Sequence, residues 1–253
     1  MLNGRLAANP VIVKTGEITN EYNNIFIKDR FRCSNQYKIF TDEDKDTICA
    51  SSIPQLTKSI ALIGDSHAQH VFYGLAESYP ELNFLLIARS GLPLHNTKNF
   101  RSIIQEISQD PNISIVIISA YWYPKIKKFI NKDEFTQSLY ETLAILSAKQ
   151  KKIYLITDTP NFSFNPSKCK FIRPMSHESQ CSETSKYFND QYSYTMKYIS
   201  KAVQHFSTLK IIDVHKYFCS QNYCSMANGD TIFYRDRDHL NIAGSLYLSL
   251  IHI

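Results

Sequence analysis

Two short stretches, far apart in the chain, hold residue types suited to nucleophilic catalysis. The first is Gly64-Asp65-Ser66-His67, which follows an apolar run and so places Ser66 at a strand-to-helix turn. The unpaired amides and positive dipole end of the following helix stabilise negative charge beside that hydroxyl. The same residue types cap helices, so a simple N-cap role for Ser66 or Asp65 is the alternative. Ala68 stands where a Gly-x-Ser-x-Gly turn needs its second glycine, which sets that motif aside. The second stretch is Tyr234-Arg235-Asp236-Arg237-Asp238-His239-Leu240. Asp236 and His239 are three residues apart, so one turn at a helix start can put both side chains on one side. A carboxylate that fixes the imidazole tautomer, with a ring that takes a serine proton, is the orienting half of a hydrolytic triad. An aspartate cap followed by a surface histidine is the competing explanation.

The elements between these stretches have to bring them together. From Ser59 onward, short apolar runs alternate with longer amphipathic segments, the pattern of parallel strands joined by helical crossovers. Strands are predicted at 60–63, 84–88, 113–119, 153–157 and 210–214. Helices are predicted at 67–79, 98–109, 133–149 and 183–206, with a last one starting near Asn241. Five parallel strands with helices on both faces make a three-layer α/β/α doubly wound sheet, whose reacting groups gather at the carboxyl ends of the strands. Ser66 would follow the first strand and the Asp-His pair the last, so both sit on one rim in the order Ser, Asp, His. Residues 1–58 differ: they are polar and rich in turn formers, and read as an irregular N-terminal extension before a catalytic domain at 59–253.

Composition bounds the remaining options. The chain has 253 residues, 43% of them apolar and 13% aromatic, enough to fill one large core. No apolar run approaches the roughly 20 residues of a membrane span. Net charge is +5, but the basic residues are scattered, which gives little basis for tracking a phosphate backbone, so nucleic acid is not an expected partner. Lys149, Lys151 and Lys152 form a dense basic cluster and read as the solvated end of a helix. The six cysteines fall into sequence-local pairs, Cys33 with Cys49, Cys169 with Cys181 and Cys219 with Cys224. Three disulfides in an oxidising compartment are the expectation, with buried free thiols as the alternative. Met1 to Pro10 carries no apolar core of a signal peptide, so an exported domain would have been carried by a longer parent chain. His67 and His70 have a spacing compatible with a metal, yet no H-E-x-x-H or acidic cluster accompanies them, and no metal is expected.

The sequence resembles the SGNH hydrolases, and among them the periplasmic SGNH domain fused to acyltransferase-3 membrane proteins. The resemblance rests on Ile60-Ala61-Leu62-Ile63-Gly64-Asp65-Ser66-His67-Ala68, on 234–240 with the neighbouring Ala243-Gly244, and on Cys219 and Cys224 just before the acid and histidine. The cysteine-bracketed stretch from Arg32-Cys33 to Cys49 matches as well, and the likeness spans residues 30–250. It implies Ser66 as nucleophile, His239 as general base and Asp236 as its orienting acid, with Asp238 the competing acid. It also implies an oxyanion hole formed by the Ser66 amide and a glycine after the second strand, for which Gly91 is the candidate. The family's third donor, an asparagine after the third strand, has no counterpart in Ser119-Ala120-Tyr121-Trp122-Tyr123-Pro124. Trp122 is a candidate sugar platform, with core packing as its alternative, and Asp65 and His67 are candidates for substrate binding or for supporting Ser66.

The implied activity is acetyl transfer to hydroxyls of a cell-surface polysaccharide such as O-antigen or capsule, through an acyl-enzyme and with no cofactor. The acetyl donor would be delivered by an integral membrane acyltransferase-3 domain, in the same parent chain or a separate protein, and the extension before residue 58 would pack against it. The location would be periplasmic, tethered to the inner membrane. A carbohydrate acetylesterase uses the same triad with water as acceptor, and a noncatalytic glycan-binding or scaffold module keeps the fold alone.

Overall fold

The structure, a computed structural model, describes residues 33, 35–43, 45–171, 181–228 and 231–252. Its centre is a six-stranded sheet. The strands are β1 (Ile48–Ser51), β2 (Ser59–Gly64), β3 (Phe84–Ala88), β4 (Ile113–Ser119), β5 (Lys152–Ile156) and, after the short β6 (Ser182–Thr184), β7 (Lys210–Ile212). Their order in space is β1-β3-β2-β4-β5-β7. The five expected strands are all present and parallel, while β1 pairs antiparallel with β3, Cys49 opposite Ile87. The stretch read as wholly irregular before residue 58 therefore supplies an edge strand. Residues 1–32 of that extension, and its expected packing on a membrane partner, lie outside the described residues. Three two- or three-residue strands, β8 (Tyr223–Ser225), β9 (Ala227–Asn228) and β10 (Thr231–Ile232), make small antiparallel pairings, β8 with the sequence-distant β6 and β10 with β9 in a hairpin.

Alternation along each strand builds two cores. Ala61, Ile63, Leu85, Ile87, Val116 and Ile118 face one side of the sheet. Leu62, Leu86 and Ile117 face the other. Period-2 side-chain direction is what lets one strand serve both layers. Eight helices are described: α1 (Ile39–Glu43), α2 (Ser66–Ser78), α3 (Arg101–Gln109), α4 (Trp122–Lys128), α5 (Lys132–Ser147), α6 (Ser185–Val203), α7 (His215–Phe218) and α8 (Ile242–His252). Ile103 and Ile107 of α3 and Phe135, Leu139 and Leu143 of α5 fill the first core. Val71, Phe72 and Leu75 of α2 and Leu248 of α8 fill the second. Helices α2 and α8 touch so closely at Gly74 that its amide donates to Ser245 Oγ at 2.8 Å, and a Cβ there would lie 2.0 Å from the Ser245 carbonyl oxygen.

Three disulfides join the expected pairs, Cys33–Cys49, Cys169–Cys181 and Cys219–Cys224. The first ties the segment before β1 to the sheet edge. Closing its 16-residue separation is worth on the order of 3 kcal/mol against the unfolded chain. The reading of Lys151 as solvated is corrected: it is 5% exposed, and its ammonium donates to the carbonyls of Asp110 and Ile113, each at 2.5 Å, pinning the entry to β4. Lys149 and Lys152 are exposed.

Candidate active site

Parallel register sets where the site forms. Gly64 ends β2 opposite Ala88 of β3 and Ser119 of β4, so the loops after three neighbouring strands leave the sheet at one level. β2 lies between the next two strands of the chain, the switch point at which doubly wound sheets open a crevice. Gly64 must be glycine because a Cβ there would stand 1.6 Å from the Ser119 carbonyl oxygen. Asp65 then caps α2, its Oδ1 accepting from the His67 amide at 2.8 Å, and Ser66 opens the helix. The cap reading thus holds for Asp65, and it leaves Ser66 free for other work.

His239 arrives on a loop closed by an isolated bridge between Tyr234 and Leu240. The Arg235 amide donates to the His239 carbonyl at 3.0 Å, and the Leu240 amide donates to Nδ1 of buried His70 at 3.3 Å. Burial, with repulsion from His67, His239 and Arg235, holds His70 well below the ordinary histidine range, so it is neutral and able to accept. Asp236 and His239 precede α8 instead of lying in its first turn, and the tight loop brings them together.

His239 Nε2 lies 2.7 Å from Ser66 Oγ, and His239 Nδ1 lies 2.9 Å from Asp236 Oδ2. Asp236 Oδ1 accepts from the amides of Asp238 and His239 at 3.0 and 2.8 Å. Burial pushes the Asp236 carboxyl upward, but the His239 ring and these two amides outweigh it and hold the group well below the usual carboxylate range. Asp238 is farther from the ring, 3.5 Å from Nδ1. Its other oxygen is 3.6 Å from Nε2 of buried His67, which is stacked on Tyr121 at 4.5 Å and lies 5.1 Å from the His239 ring.

Ser66 and His239 open onto a cleft of about 310 Å³ that Gly91, Tyr121, Lys125 and Asp238 also line. Among the described residues, neither the Ser66 amide nor the Gly91 amide donates to a protein acceptor. Asp65 Oδ2 accepts from the Tyr121 amide at 3.0 Å and from Lys125 Nζ. Burial alone would raise Asp65, but the His67 ring, the Lys125 ammonium and the Tyr121 amide bring it below its ordinary value.

Residues 32–251 match the family described as the SGNH domain fused to AT3 domains. The chain belongs to that family. No curated protein gives a significant match. Among solved structures, the periplasmic domain of the lipopolysaccharide acetyltransferase of Salmonella ser. Paratyphi A is similar, with 18% identity and a TM-score of 0.63 over 92% of this chain and 94% of that one. An acetyl xylan esterase, AlAXEase, is also similar, with 18% identity and a TM-score of 0.46 over 76% of this chain and 96% of that one.

In this SGNH domain Trp122 is no sugar platform. It is fully buried, its indole N–H donates to the Ile156 carbonyl at 2.8 Å, and its ring fills the core under α4. Tyr121, one residue earlier, is the aromatic that lines the cleft. Two clusters bring metal-ligand types within 4.8 Å of one another, His67 with Asp238 and His239, and His215 with Cys219 and Cys224. In the first, both ring nitrogens of His239 are already engaged by Ser66 and Asp236; in the second, both sulfurs form a disulfide. Lys125, Tyr121 and the half-buried Asp158 under α4 were not singled out from sequence, and His70 was weighed there only as a metal ligand. Each acts through contacts distant in the chain, and no local motif marks them.

Proposed function

We propose that this domain transfers an acyl group, in the first place acetyl, onto a hydroxyl of a cell-surface polysaccharide by way of an acyl-enzyme on Ser66. The observation that carries the reading is the continuous chain from Ser66 Oγ through His239 to Asp236, at a cleft beside two amides without acceptors. His239 keeps its proton on Nδ1, facing Asp236, so Nε2 accepts the Ser66 proton as Oγ attacks the donor carbonyl carbon. The oxyanion that forms is held by the Ser66 and Gly91 amides. Collapse breaks the bond to the leaving group, which takes the proton from Nε2 and departs. A sugar hydroxyl then gives its proton to Nε2 and attacks the acyl carbon, and Ser66 leaves as the proton returns to it. No cofactor is called for by these steps.

Family membership supports an acetyl supply from an AT3 domain, either in a longer parent chain or as a separate membrane protein. The fold shared with a periplasmic acetyltransferase domain supports an extracytoplasmic location, and among the described residues no helix is long and apolar enough to cross a membrane. The same groups would act as an esterase if water took the place of the sugar hydroxyl.

The test is a p-nitrophenyl acetate assay with and without a bacterial surface oligosaccharide, following nitrophenol, free acetate and acetylated sugar together. Acetylated sugar formed at the expense of acetate, with Ser66→Ala reducing both products at least about 1000-fold, is the expected result. Rapid acetate release that is indifferent to the added glycan would exclude transfer as the main activity.

A further inference from the structure

Gly91 needs help to hold its amide in one direction. Its φ is +109°, a region open to glycine and strained for other residues, and glycine by itself samples many alternatives at little cost. Two side chains remove that freedom. Asn99 Nδ2 donates to the Ser90 carbonyl at 2.8 Å. The Ser90 carbonyl and the Gly91 N–H belong to one planar trans peptide, so they point in opposite directions. With the carbonyl turned to Asn99, the N–H is turned away from it. A Cβ built on Gly91 would meet Asn99 Nδ2 at 3.8 Å, which places that side chain against the same stretch of backbone. The next peptide is held from its own carbonyl, since Lys125 Nζ donates to the Gly91 oxygen at 2.8 Å.

Both clamps are themselves anchored. The Asn99 carbonyl accepts from Arg89 Nη1 at 3.0 Å, and Arg89 is buried, with Nη2 donating to the Phe40 carbonyl at 2.7 Å. Lys125 is fixed by its ion pair with Asp65, next in sequence to Ser66. The ammonium therefore connects the loop after β3 with the residue before the nucleophile.

We propose that Asn99 and Lys125 are the positioning residues of the Gly91 amide. They hold the two peptides on either side of the glycine so that its N–H is fixed before the oxyanion forms. Preorganised donors lower the barrier because no reorientation is needed as charge develops, and loss of one donor costs on the order of 100-fold in rate. The inference rests on Ser66 as nucleophile and the Gly91 amide as oxyanion donor.

The test uses the purified chain with p-nitrophenyl acetate and, in parallel, the rate of Ser66 labelling by a fluorophosphonate. Asn99→Asp keeps the shape but replaces the donor with a carboxylate facing the Ser90 carbonyl. Because Asn99 is partly exposed, this variant should keep the wild-type melting temperature. Asn99→Asp and Lys125→Met should each lower kcat and kcat/KM together by about 10- to 100-fold, with KM within about threefold and labelling slowed in proportion. Lys125→Arg, which can reach the same carbonyl, should recover most of the loss. If Ser66 labels and folded Asn99→Asp matches wild type in kcat and labelling, or changes KM alone, the positioning role is overturned while the nucleophile stands. If the wild-type chain does not label at Ser66, or Ser66→Ala keeps its activity, both readings fall.

Discussion

Two carboxylates face His239, and their distances assign them different work. Asp236 sits 2.9 Å from Nδ1 and receives two backbone amides, whereas Asp238 is 3.5 Å away and lies between the His239 and His67 rings. Asp236 stays ionised because those donors offset its burial, so it orients the imidazole across the neutral range. Asp236→Asn should lower kcat by on the order of 10³- to 10⁴-fold, through loss of the charge and of the fixed tautomer. Asp238→Asn should cost under about tenfold. Steady-state kinetics on the two variants settles the assignment, and the reverse order of losses would transfer the orienting role to Asp238. At this scale Ser66 was legible in one short motif and Asp236 with His239 in another, the two 173 residues apart and now within hydrogen-bond distance, while Gly91, named through the resemblance, lines the same cleft. It could not separate Trp122 from Tyr121. Both follow a strand end, and only the start of α4 between them decides which ring enters the core and which reaches the cleft.

Among the elements, α4 bears on the site most directly, since it supplies Lys125 and begins beside Tyr121. Its first amides are received by Asp158, Trp122 at 2.6 Å and Tyr123 at 2.8 Å. Burial raises the Asp158 carboxyl from 3.8 to about 7, against the lowering effect of those two amides. A raised acid stabilises the fold in its protonated state. That contribution is complete below about pH 4, declines as pH rises toward about 7, and is gone above it. Asp65 and Asp236, with lowered values, act oppositely: their contribution is present above about pH 4 and is lost as pH falls below it. Urea midpoints measured from pH 4 to 8 should therefore decline less for Asp158→Asn than for wild type between pH 4 and 7, and parallel curves would contradict the assignment. The parallel strands were legible because alternating or continuous apolar residues mark them. β1 and α4 were not. β1 is four residues long and follows a polar stretch, and α4 is seven residues long with Pro124 and three lysines, too short for a helical period to register.

At the scale of the whole molecule, the site depends on chain ends meeting. Ser66 opens α2 and His239 precedes α8, and those two helices pack against each other through Gly74 and Ser245 on one face of the sheet. The sequence indicated that both motifs share a rim, because β2 comes first among the parallel strands and the Asp-His loop last in a doubly wound order. It did not indicate the helix contact that sets their separation, since Gly74 and Ser245 stand 171 residues apart with no shared pattern. Assembly of the hydroxyl, ring and carboxylate is thus a property of the packed domain, and the account stands or falls on whether that assembly carries an acyl group. Acid-quenching the chain during its first turnover with p-nitrophenyl acetate, followed by peptide mass mapping, answers this directly. The account predicts an acetyl group on the peptide containing Ser66, absent in Ser66→Ala and in His239→Ala. Turnover at the wild-type rate with no adduct at Ser66, or with the acetyl group on another residue, would contradict it.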